Sequence, residues 1–406
     1  MTLIECFTES HIDNLGACLR LHPKKMVLVG EAGEMAEPAR RYAKLLRCRG
    51  IGTEITLCDV QKMDIGQMYQ ALKAVITAEG DCVVDLTGGD EAVLMAVGAV
   101  YAQLPEAERS RIRIEKWDHA TNSVRDCIRD NQEIPSPSIH LTVEELIELH
   151  DGTPVPSPYQ PPKSCSVKEL DGLWELVSEA PKEWNNTLSL LRKAESRSDS
   201  KTRIDLPLAY LRKSIASFGS QEEVLRELLG KLHRHGVITD QSTAYSLAYT
   251  YRSELLRYCM QKAGNALEVK VLLEGRALLE NGKPYFDDGL VGVSLEWEGA
   301  NQPPDREPET RNEVDVVFLR GTTPLFISCK NGNVEDVELY KLHTVAHRFG
   351  GPYAKKMLIA TDLGHMSPAA CRALEQRAWD MDIRLVTDAG ELSREEWRRL
   401  FKKAMQ

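Results

Sequence analysis

The sequence predicts an α/β protein in which an N-terminal doubly wound domain and a C-terminal α/β domain are joined by a helical connector. Short apolar runs alternate with helical patterns up to about residue 150, which is typical of a mostly parallel sheet covered by helices. A second group of strand patterns surrounds a hairpin at residues 312–332, and the interval between the two regions is mostly helical. We therefore predict four segments: residues 1–150, a proline-rich linker at 151–163, a connector at 164–250 and a final domain at 251–406.

The N-terminal domain is predicted to contain five strands, each followed by a helix or a loop. The strands are Thr2–Phe7, Lys25–Gly30, Gly52–Leu57, Cys82–Leu86 and Ile112–Trp117. Parallel sheets of this kind bind ligands at the carboxyl ends of their strands. Three strand-to-helix joints are therefore candidate binding loops: residues 7–11, 29–33 and 86–91.

The joint Leu86-Thr-Gly-Gly-Asp-Glu91 has the most specific composition of the three. Gly88 and Gly89 allow the backbone to approach an anion, and a helix beginning near Asp90 presents free N–H groups. The segment is neither a G-x-G-x-x-G fingerprint nor a Walker motif. A tight turn capped by Thr87 or Asp90 explains the same residues equally well.

The connector carries two weaker signals. The amphipathic run 221–238 ends in a glycine and a short apolar stretch, which resembles part of a winged helix, although a helical connector or dimerisation module is favoured. A basic cluster could guide a nucleic-acid strand, but such clusters are usually solvated faces. Its members are Arg192, Lys193, Arg197, Lys201 and Arg203.

The hairpin NEVDVVFLRGTTPLFISCKNG places polar groups where apolar strands end. Asp315 lies near the start of its first strand, and Ser328 and Lys330 close the second, on one face. A carboxylate can hold a divalent cation that lowers the pKa of bound water, and Lys330 can orient that water or neutralise charge on a phosphate. On spacing alone, a solvated hairpin is the commoner explanation.

Composition limits the classes of function. A formal net charge of -10 argues against non-specific coating of nucleic acid. The 10 cysteines include no C-x-x-C pair, so we expect neither a zinc site nor a disulfide framework, and scattered thiols favour a reducing cytosol. Neither a signal peptide nor an apolar run of roughly 18 residues is evident. We expect a cytoplasmic protein that contacts no membrane.

The hairpin resembles that of the PD-(D/E)xK restriction-endonuclease-like nucleases. Val314-Asp315-Val316 followed by Phe326-Ile327-Ser328-Cys329-Lys330 carries the resemblance, with Glu338-Leu-Tyr-Lys341 after it. The family places Asp or Glu where Ser328 stands, which removes one charged ligand. The resemblance implies catalytic roles for Asp315, Ser328 and Lys330, with Mg²⁺ or Mn²⁺ held by Asp315 and the Cys329 carbonyl.

A further acidic residue often comes from a helix before the core sheet in these nucleases. The segment Gly264-Asn-Ala-Leu-Glu268 resembles that site, and Glu268 is the expected catalytic and metal-binding residue. Asn265 is expected to cap this helix. An ordinary glutamate favoured at a helix N-terminus by the dipole is the alternative.

The N-terminal loops resemble those of CRISPR-associated Rossmann-fold (CARF) domains, which bind cyclic oligoadenylates as dimers. The resemblance is carried by Phe7-Thr-Glu-Ser10 and by Leu86-Thr-Gly-Gly89. A symmetric ring suits an isologous two-fold interface. The ligand-binding residues that it implies are Thr8, Glu9, Ser10, Gly30, Glu31, Thr87, Gly88, Gly89 and Asp90.

Together these observations predict a homodimeric, metal-dependent nuclease of type III CRISPR defence, which is activated by a cyclic oligoadenylate and cleaves DNA or RNA. Cyclic tetra-adenylate is the activator that the resemblance implies. One alternative is a messenger-responsive regulator that binds nucleic acid but whose nuclease site is inactive. A second keeps the nuclease fold with a sensor for another nucleotide.

Overall fold

The structure is a computed structural model that describes residues 1–61, 64–119, 123–198, 200, 203–215, 218–297, 311–332, 334–363 and 366–406, the side chain of Arg311 excepted. Lys201 of the predicted basic cluster lies outside these ranges. The chain forms two compact units, residues 1–153 and the described residues from 154 onward.

The first unit alternates strands and helices in the predicted order. Its elements are β1 (Thr2–Cys6), α1 (His11–Leu21), β2 (Lys25–Gly30), α2 (Ala32–Cys48), β3 (Glu54–Asp59), α3 (Ile65–Glu79), β4 (Cys82–Asp85), α4 (Glu91–Gln103), α5 (Glu106–Arg109), β5 (Ile112–Asp118), β6 (Ser123–Asp126), β7 (Glu133–Ile134) and α6 (Val143–Leu149).

These strands form a seven-stranded sheet in the order β3-β2-β1-β4-β5-β6-β7. The first five are parallel, and β6 and β7 add an antiparallel edge. Every residue of β1 and β4 is buried, as expected for central strands covered on both faces. The α/β prediction is confirmed, but β6 and β7 were not predicted because both are short and rich in polar residues.

The second unit contains the remaining elements. They are β8 (Thr153–Pro156), a 3₁₀ helix (Val167–Glu169), α7 (Asp171–Glu179), α8 (Pro181–Glu195), β9 (Arg203–Pro207), α9 (Leu208–Ser214), α10 (Phe218–Arg234), β10 (Ile238–Asp240), β11 (Ser246–Tyr251), α11 (Glu254–Cys259), α12 (Asn265–Arg276), β12 (Leu279–Glu280), β13 (Lys283–Pro284), β14 (Asp288–Glu296), β15 (Arg311–Arg320), β16 (Thr323–Lys330), α13 (Asp336–Gly350), β17 (Lys355–Ala360), α14 (Pro368–Asp380), β18 (Arg384–Val386) and α15 (Arg394–Ala404).

A six-stranded sheet in the order β18-β17-β16-β15-β14-β8 is the centre of this unit. The pairs β14–β15 and β15–β16 are antiparallel, whereas the pairs β16–β17 and β17–β18 are parallel. The predicted hairpin is present as β15 and β16. Its turn contains Gly321, whose φ of 61° lies in the left-handed region that glycine favours.

Helices cover both faces of this sheet. A Cβ on Gly275 of α12 would lie 2.2 Å from the Phe318 ring, and one on Gly350 of α13 would lie 2.6 Å from the Phe326 ring. Phe318 and Phe326 stand at adjacent, not opposite, positions of the hairpin, since Val317 pairs with Phe326. Directly opposite residues share a face, so α12 and α13 lie on different faces.

The predicted connector contains strands as well as helices. Its strands β9, β10 and β11 form an antiparallel sheet in the order β10-β11-β9. The succession α8-β9-α9-α10-β10-β11 is that of a winged helix. The sequence favoured a helical segment here because β9 is short and alternates exposed with buried residues, a weak signal beside the long amphipathic α10.

One hydrophobic core continues through the second unit. It contains Trp174 of α7, Leu229 of α10, Leu272 of α12, Phe318 of β15 and Trp397 of α15. Residues from both the predicted connector and the predicted final domain therefore share one interior.

The proline-rich run is extended and bound to the second unit. The Gln160 side-chain amide pairs with the backbone of Val291, donating to its carbonyl at 2.6 Å and accepting from its N–H at 3.0 Å. Arg276 donates to the carbonyl of Pro161 at 2.6 Å. The run is thus held along β14 instead of standing free.

Candidate functional site

The hairpin brings Asp315 and Ser328 together. Val316 pairs with Ile327 in the antiparallel ladder, which places Asp315 opposite Ser328. Ser328 Oγ donates to Asp315 Oδ2 at 3.3 Å, and the Cys329 N–H donates to the same oxygen at 2.6 Å. The Asp315 carboxylate is thereby fixed at the end of β16.

Lys330 lies on the same face and forms an ion pair with a residue of the next helix. Its Nζ is 2.8 Å from Glu338 Oε2 of α13, and Glu338 also binds Lys341 at 3.2 Å. Burial lowers the pKa of Lys330, but the Glu338 hydrogen bond and the Asp315 charge outweigh it and raise the pKa overall. The ammonium is thus kept charged and directed toward the carboxylates.

Glu268 lies near the start of α12 and is buried. Burial raises the pKa of Glu268, and the negative charges of Asp315 and Glu313 raise it further. Burial likewise raises the pKa of Asp315. The buried carboxylate of Glu268 and the half-buried carboxylate of Asp315 repel each other here, and Lys330 only partly offsets their charge.

An open cavity of about 340 Å³ adjoins this group. Asp315, Ser328 and Lys330 line it together with Glu338 and Lys341. Glu268 does not line the cavity, since it stands on the helix that covers the other face of the sheet. The structure therefore places Asp315, Ser328 and Lys330 at one surface. Glu268 interacts with this group electrostatically, from the helix on the other face of the sheet.

The donor set suits a hard divalent cation. Mg²⁺ and Mn²⁺ prefer oxygen ligands such as carboxylates, hydroxyls and carbonyls, and Asp315 and Glu268 supply two carboxylates whose mutual repulsion a cation would relieve. No group of three His, Cys, Asp or Glu side chains has metal-binding geometry in the described part of the chain. For Cys329 the structure shows its N–H bound to Asp315; a role for its carbonyl stays a prediction.

Two participants at this site were missed from the sequence. Glu338 was noted within the family resemblance but received no role, although its spacing from Lys341 suits an ion pair on one helical turn. Asn185 of α8 donates to the Asn331 carbonyl at 2.6 Å and accepts from the Asn331 amide at 2.8 Å. No sequence pattern links residues 146 apart, so this contact could not be predicted.

One predicted capping role is wrong. Gly264, not Asn265, occupies the N-cap position of α12. Asn265 is the first helical residue and its side chain donates to the Tyr258 carbonyl at 2.9 Å. The Asn265 amide thus ties α12 to α11, whereas a cap would bind the helix's own N–H groups.

The predicted ligand residues of the first unit lie at one edge of its sheet. Thr8, Glu9 and Ser10 follow β1. Gly30 is the last residue of β2 and Glu31 follows it, and the loop from Thr87 to Asp90 follows β4. These three strands are neighbours in the order β2-β1-β4. All nine residues are therefore brought together at the carboxyl ends of adjacent parallel strands.

Close packing explains the two glycines of the β4 loop. A Cβ on Gly88 would lie 2.7 Å from the Cys6 carbonyl oxygen, and one on Gly89 would lie 2.6 Å from Cys6 Cβ. Gly89 also has a φ of 89°. The loop consequently lies directly against the end of β1, whether or not an anion binds there.

Several of the predicted ligand side chains already serve the fold. Ser10 caps α1 by accepting from the Asp13 N–H at 3.4 Å, and Asp90 caps α4 by accepting from the Val93 N–H at 2.9 Å. The Thr87 hydroxyl donates to Asp85 and accepts from the Trp117 N–H at 2.8 Å. Trp117 is itself buried against Gly16.

Three buried carboxylates lie side by side beneath these loops. Glu5, Asp85 and Glu115 occupy paired positions on β1, β4 and β5. Arg20 of α1 lies 3.1 Å from Glu115 and 3.6 Å from Asp85. Neither Glu5 carboxylate oxygen has a hydrogen-bond partner within the described ranges. Burial, with the Asp85 charge, raises the pKa of Glu5, and burial raises the pKa of Asp85 to about 6.

Within the described residues, every helix is too short or too polar to cross a bilayer.

Comparison with known families and with curated proteins yields no match to this sequence. Comparison with solved structures finds similar proteins. The crystal structure of protein VC1899 from Vibrio cholerae has a TM-score of 0.71 and 15% identity over 99% of this chain and 97% of that one.

Two further solved proteins are similar over most of the chain. Can2 from Sulfobacillus thermosulfidooxidans, in complex with cyclic tetra-adenylate, has a TM-score of 0.63 and 15% identity over 100% of this chain and 99% of its own. A type III CRISPR defence DNA nuclease activated by cyclic oligoadenylate has a TM-score of 0.51 and 16% identity over 89% of this chain and 45% of its own. At this identity the likeness is one of fold, and this chain shares the complete fold of VC1899 and Can2.

Proposed function

We propose that this protein is a metal-dependent nuclease of type III CRISPR defence, which a cyclic oligoadenylate activates. The observation that carries the proposal is the group formed by Asp315, Ser328 and Lys330 at one cavity, with Glu268 behind it. Its setting supports the same conclusion, since the fold is that of Can2, which was solved with cyclic tetra-adenylate. The proposed setting is a cytoplasmic homodimer.

In this proposal Asp315 and Glu268 hold Mg²⁺ or Mn²⁺, with the Ser328 hydroxyl and the Cys329 carbonyl completing the ligands. The bound cation supplies a water of lowered pKa and stabilises negative charge on the scissile phosphate. Lys330 orients that water, and its ion pair with Glu338 fixes the direction of the ammonium. Ser328 in place of a carboxylate leaves the site with one negative charge fewer.

Activation is a population shift in the dimer. Cyclic tetra-adenylate bound by the loops after β1, β2 and β4 must favour one arrangement of two protomers, because a ligand shifts an equilibrium only through its differential affinity. That arrangement presents the substrate to the metal sites. The substrate is DNA, RNA or both.

The direct test compares cleavage by wild type, Asp315→Asn and Lys330→Ala with Mn²⁺ and cyclic tetra-adenylate. Substrates are single- and double-stranded DNA and RNA. We expect messenger-dependent cleavage by wild type and losses on the order of 10³-fold in both variants, the scale for removing a preorganised electrostatic group. Lys168→Gln, an exposed cation of the 3₁₀ helix, is the matched control. Undiminished cleavage by both site variants would remove the proposed site.

A second candidate function is a messenger-responsive regulator that binds nucleic acid without cutting it. The winged-helix succession of α8 to β11 and the serine at position 328 favour this candidate. Messenger-dependent binding to specific duplexes, with no cleavage in any metal, would select it.

A further inference from the structure

A second concave surface, which we name the α8 groove, lies beside the candidate nuclease site. It has a volume of about 330 Å³ and runs between α8 and the segment that precedes α12. Its polar lining comes from Asn185, Ser189, Arg192, Lys193 and Ser196, with Ala263 on the facing wall. Among the described residues that line it, none is acidic.

The groove follows one face of a well-anchored helix. Asn185, Ser189, Arg192 and Lys193 recur at the spacing of neighbours on a helical surface, while Trp184 and Leu191 of the same helix are buried in the core. The C-terminal end of α8 is fixed by Glu195, which accepts from the Tyr249 hydroxyl at 2.7 Å and the Tyr251 hydroxyl at 2.5 Å. The packing of α8 therefore fixes the side of the helix on which the exposed Arg192 and Lys193 side chains lie.

Both walls of the groove end at residues next to the candidate site. On one wall, Asn185 is bound through its amide to Asn331, the residue after Lys330. On the other, Ala263 precedes Gly264, whose carbonyl accepts from the Glu268 N–H at 3.1 Å. Asn331 and Gly264 thus join the groove to the segments that carry Lys330 and Glu268.

The groove carries two cations that form no direct ion pair. Neither the Arg192 guanidinium nor the Lys193 ammonium is in an ion pair within the described ranges. Burial raises the pKa of the nearby Glu195 carboxyl, and the charge of Arg192 partly offsets this rise. The nearby Glu195 carboxylate is engaged by two tyrosine hydroxyls. Two unpaired cations beside serine and asparagine side chains are the groups that contact phosphate and sugar in nucleic-acid complexes.

We infer that the α8 groove binds the sugar–phosphate backbone of the substrate strand on one side of the cleaved bond. The inference rests on the proposed nuclease function and extends it, because it assigns the path of the substrate. From Asn185 to Lys193 the helix rises by roughly 12 Å. Consecutive phosphates of one strand lie farther apart than the duplex rise of about 3.4 Å, so Arg192 and Lys193 contact phosphates a few nucleotides from the site.

The test measures binding by the full-length protein in an Asp315→Asn background, with cyclic tetra-adenylate present. The probes are labelled 20-nucleotide single-stranded DNA, duplex DNA and RNA, each titrated at several KCl concentrations. Arg192→Gln with Lys193→Gln should weaken binding by at least about tenfold and reduce the log–log salt slope by about 1 for each cation. The charge-matched control Lys168→Gln with Lys163→Gln, both exposed and outside the groove and the winged-helix succession, should change affinity less than about twofold. Preference among the three probes identifies the strand type.

A second measurement locates the contact. In otherwise wild-type protein, single neutral methylphosphonate linkages placed along the substrate should slow cleavage most at one position a few nucleotides from the cut, on one side only, and the double variant should lose this sensitivity. Equal binding losses in the double variant and its control, no loss in either, or no binding of any probe by the parent protein would each overturn the inference. Groove-dependent binding by a wild-type protein that cleaves nothing would instead refute the proposed nuclease while leaving the groove assigned.

Discussion

Each unit buries a cluster of carboxylates at its sheet, but the two clusters differ in how their charge is balanced. In the first unit, Glu5, Asp85 and Glu115 surround Arg20, whose side chain is 3% exposed. In the second, Asp315 lies with Lys330, which is 28% exposed, at an open cavity, and the buried Glu268 acts on both through its charge. The first cluster is closed to solvent, whereas the second opens to solvent at one side.

The difference separates two uses of the same chemistry. A buried ion pair that is sealed on every side fixes the position of the strands that carry it, and removing one partner is costly because a charge is left unpaired. Two carboxylates that repel each other, one of which borders a cavity, can instead be stabilised by a cation from solution. Burial alone therefore does not distinguish a structural cluster from a binding site; access and the residual charge do.

The largest expected effect is on the sealed cluster. Arg20→Leu removes the cation between Asp85 and Glu115, so we expect the first unit to lose about 3 to 5 kcal/mol of unfolding free energy. Hydrogen exchange of the β1 and β4 amides measures it. Arg113→Leu is the matched control, because Arg113 binds the same Glu115 at 2.9 Å but is 32% exposed; its loss should be much smaller. Equal losses would show that the sealed position of Arg20 has no special role.

The next effect concerns the open site. Mn²⁺ at about 100 times its Kd should stabilise the second unit by about 2.7 kcal/mol, seen as slower exchange of β15 and β16 amides. Glu268→Gln removes a carboxylate and should abolish most of this protection. Exchange in β1 and β4 should not respond to metal in either protein. Metal protection that persists in Glu268→Gln would exclude Glu268 from the ligand set.

The smallest effect is a change in pH dependence at Glu5. Its pKa in the folded protein is raised, mainly by burial, so its favourable contribution is present below the unfolded pKa and is lost as the pH rises through the folded value. Glu5→Gln cannot ionise. The variant should therefore match wild type at pH 4 and be more stable than wild type at pH 9, because only the wild-type protein must keep a carboxyl protonated in the folded state as the pH rises.

Glu79→Gln provides a control of opposite sign for Glu5. The hydrogen bond from Lys25, aided by Thr2, lowers the pKa of Glu79, so its contribution is present at neutral pH and is lost as the pH falls through the folded value. Thermal unfolding between pH 4 and 9 measures both variants. A pH-independent difference between Glu5→Gln and wild type would mean that Glu5 does not titrate in this range.

Features determined by residues close together in the sequence were predictable, whereas features determined by residues far apart in the sequence were not. The parallel strands and the β15–β16 hairpin were predictable because alternation and turn residues are local. Asp315 and Lys330 were predictable as neighbours because they share one hairpin. Glu338 and Asn185 were not assigned, because their contacts depend on how α13 and α8 pack. The charged residues inside the apolar runs of β1, β4 and β5 were a readable sign of a buried cluster that the sequence interpretation did not use.

Phe318 has a consequence beyond packing. Its ring fills the space over Gly275 of α12 and over Gly289 of β14, where a Cβ would lie 2.2 and 2.6 Å from it. The aromatic ring acts as a spacer that sets the height of α12, and so of Glu268, above the strand that carries Asp315. Mg²⁺ tolerates less variation in ligand distance than larger ions do. Ion selectivity could therefore be retuned at two glycines and a phenylalanine, with every coordinating side chain left in place.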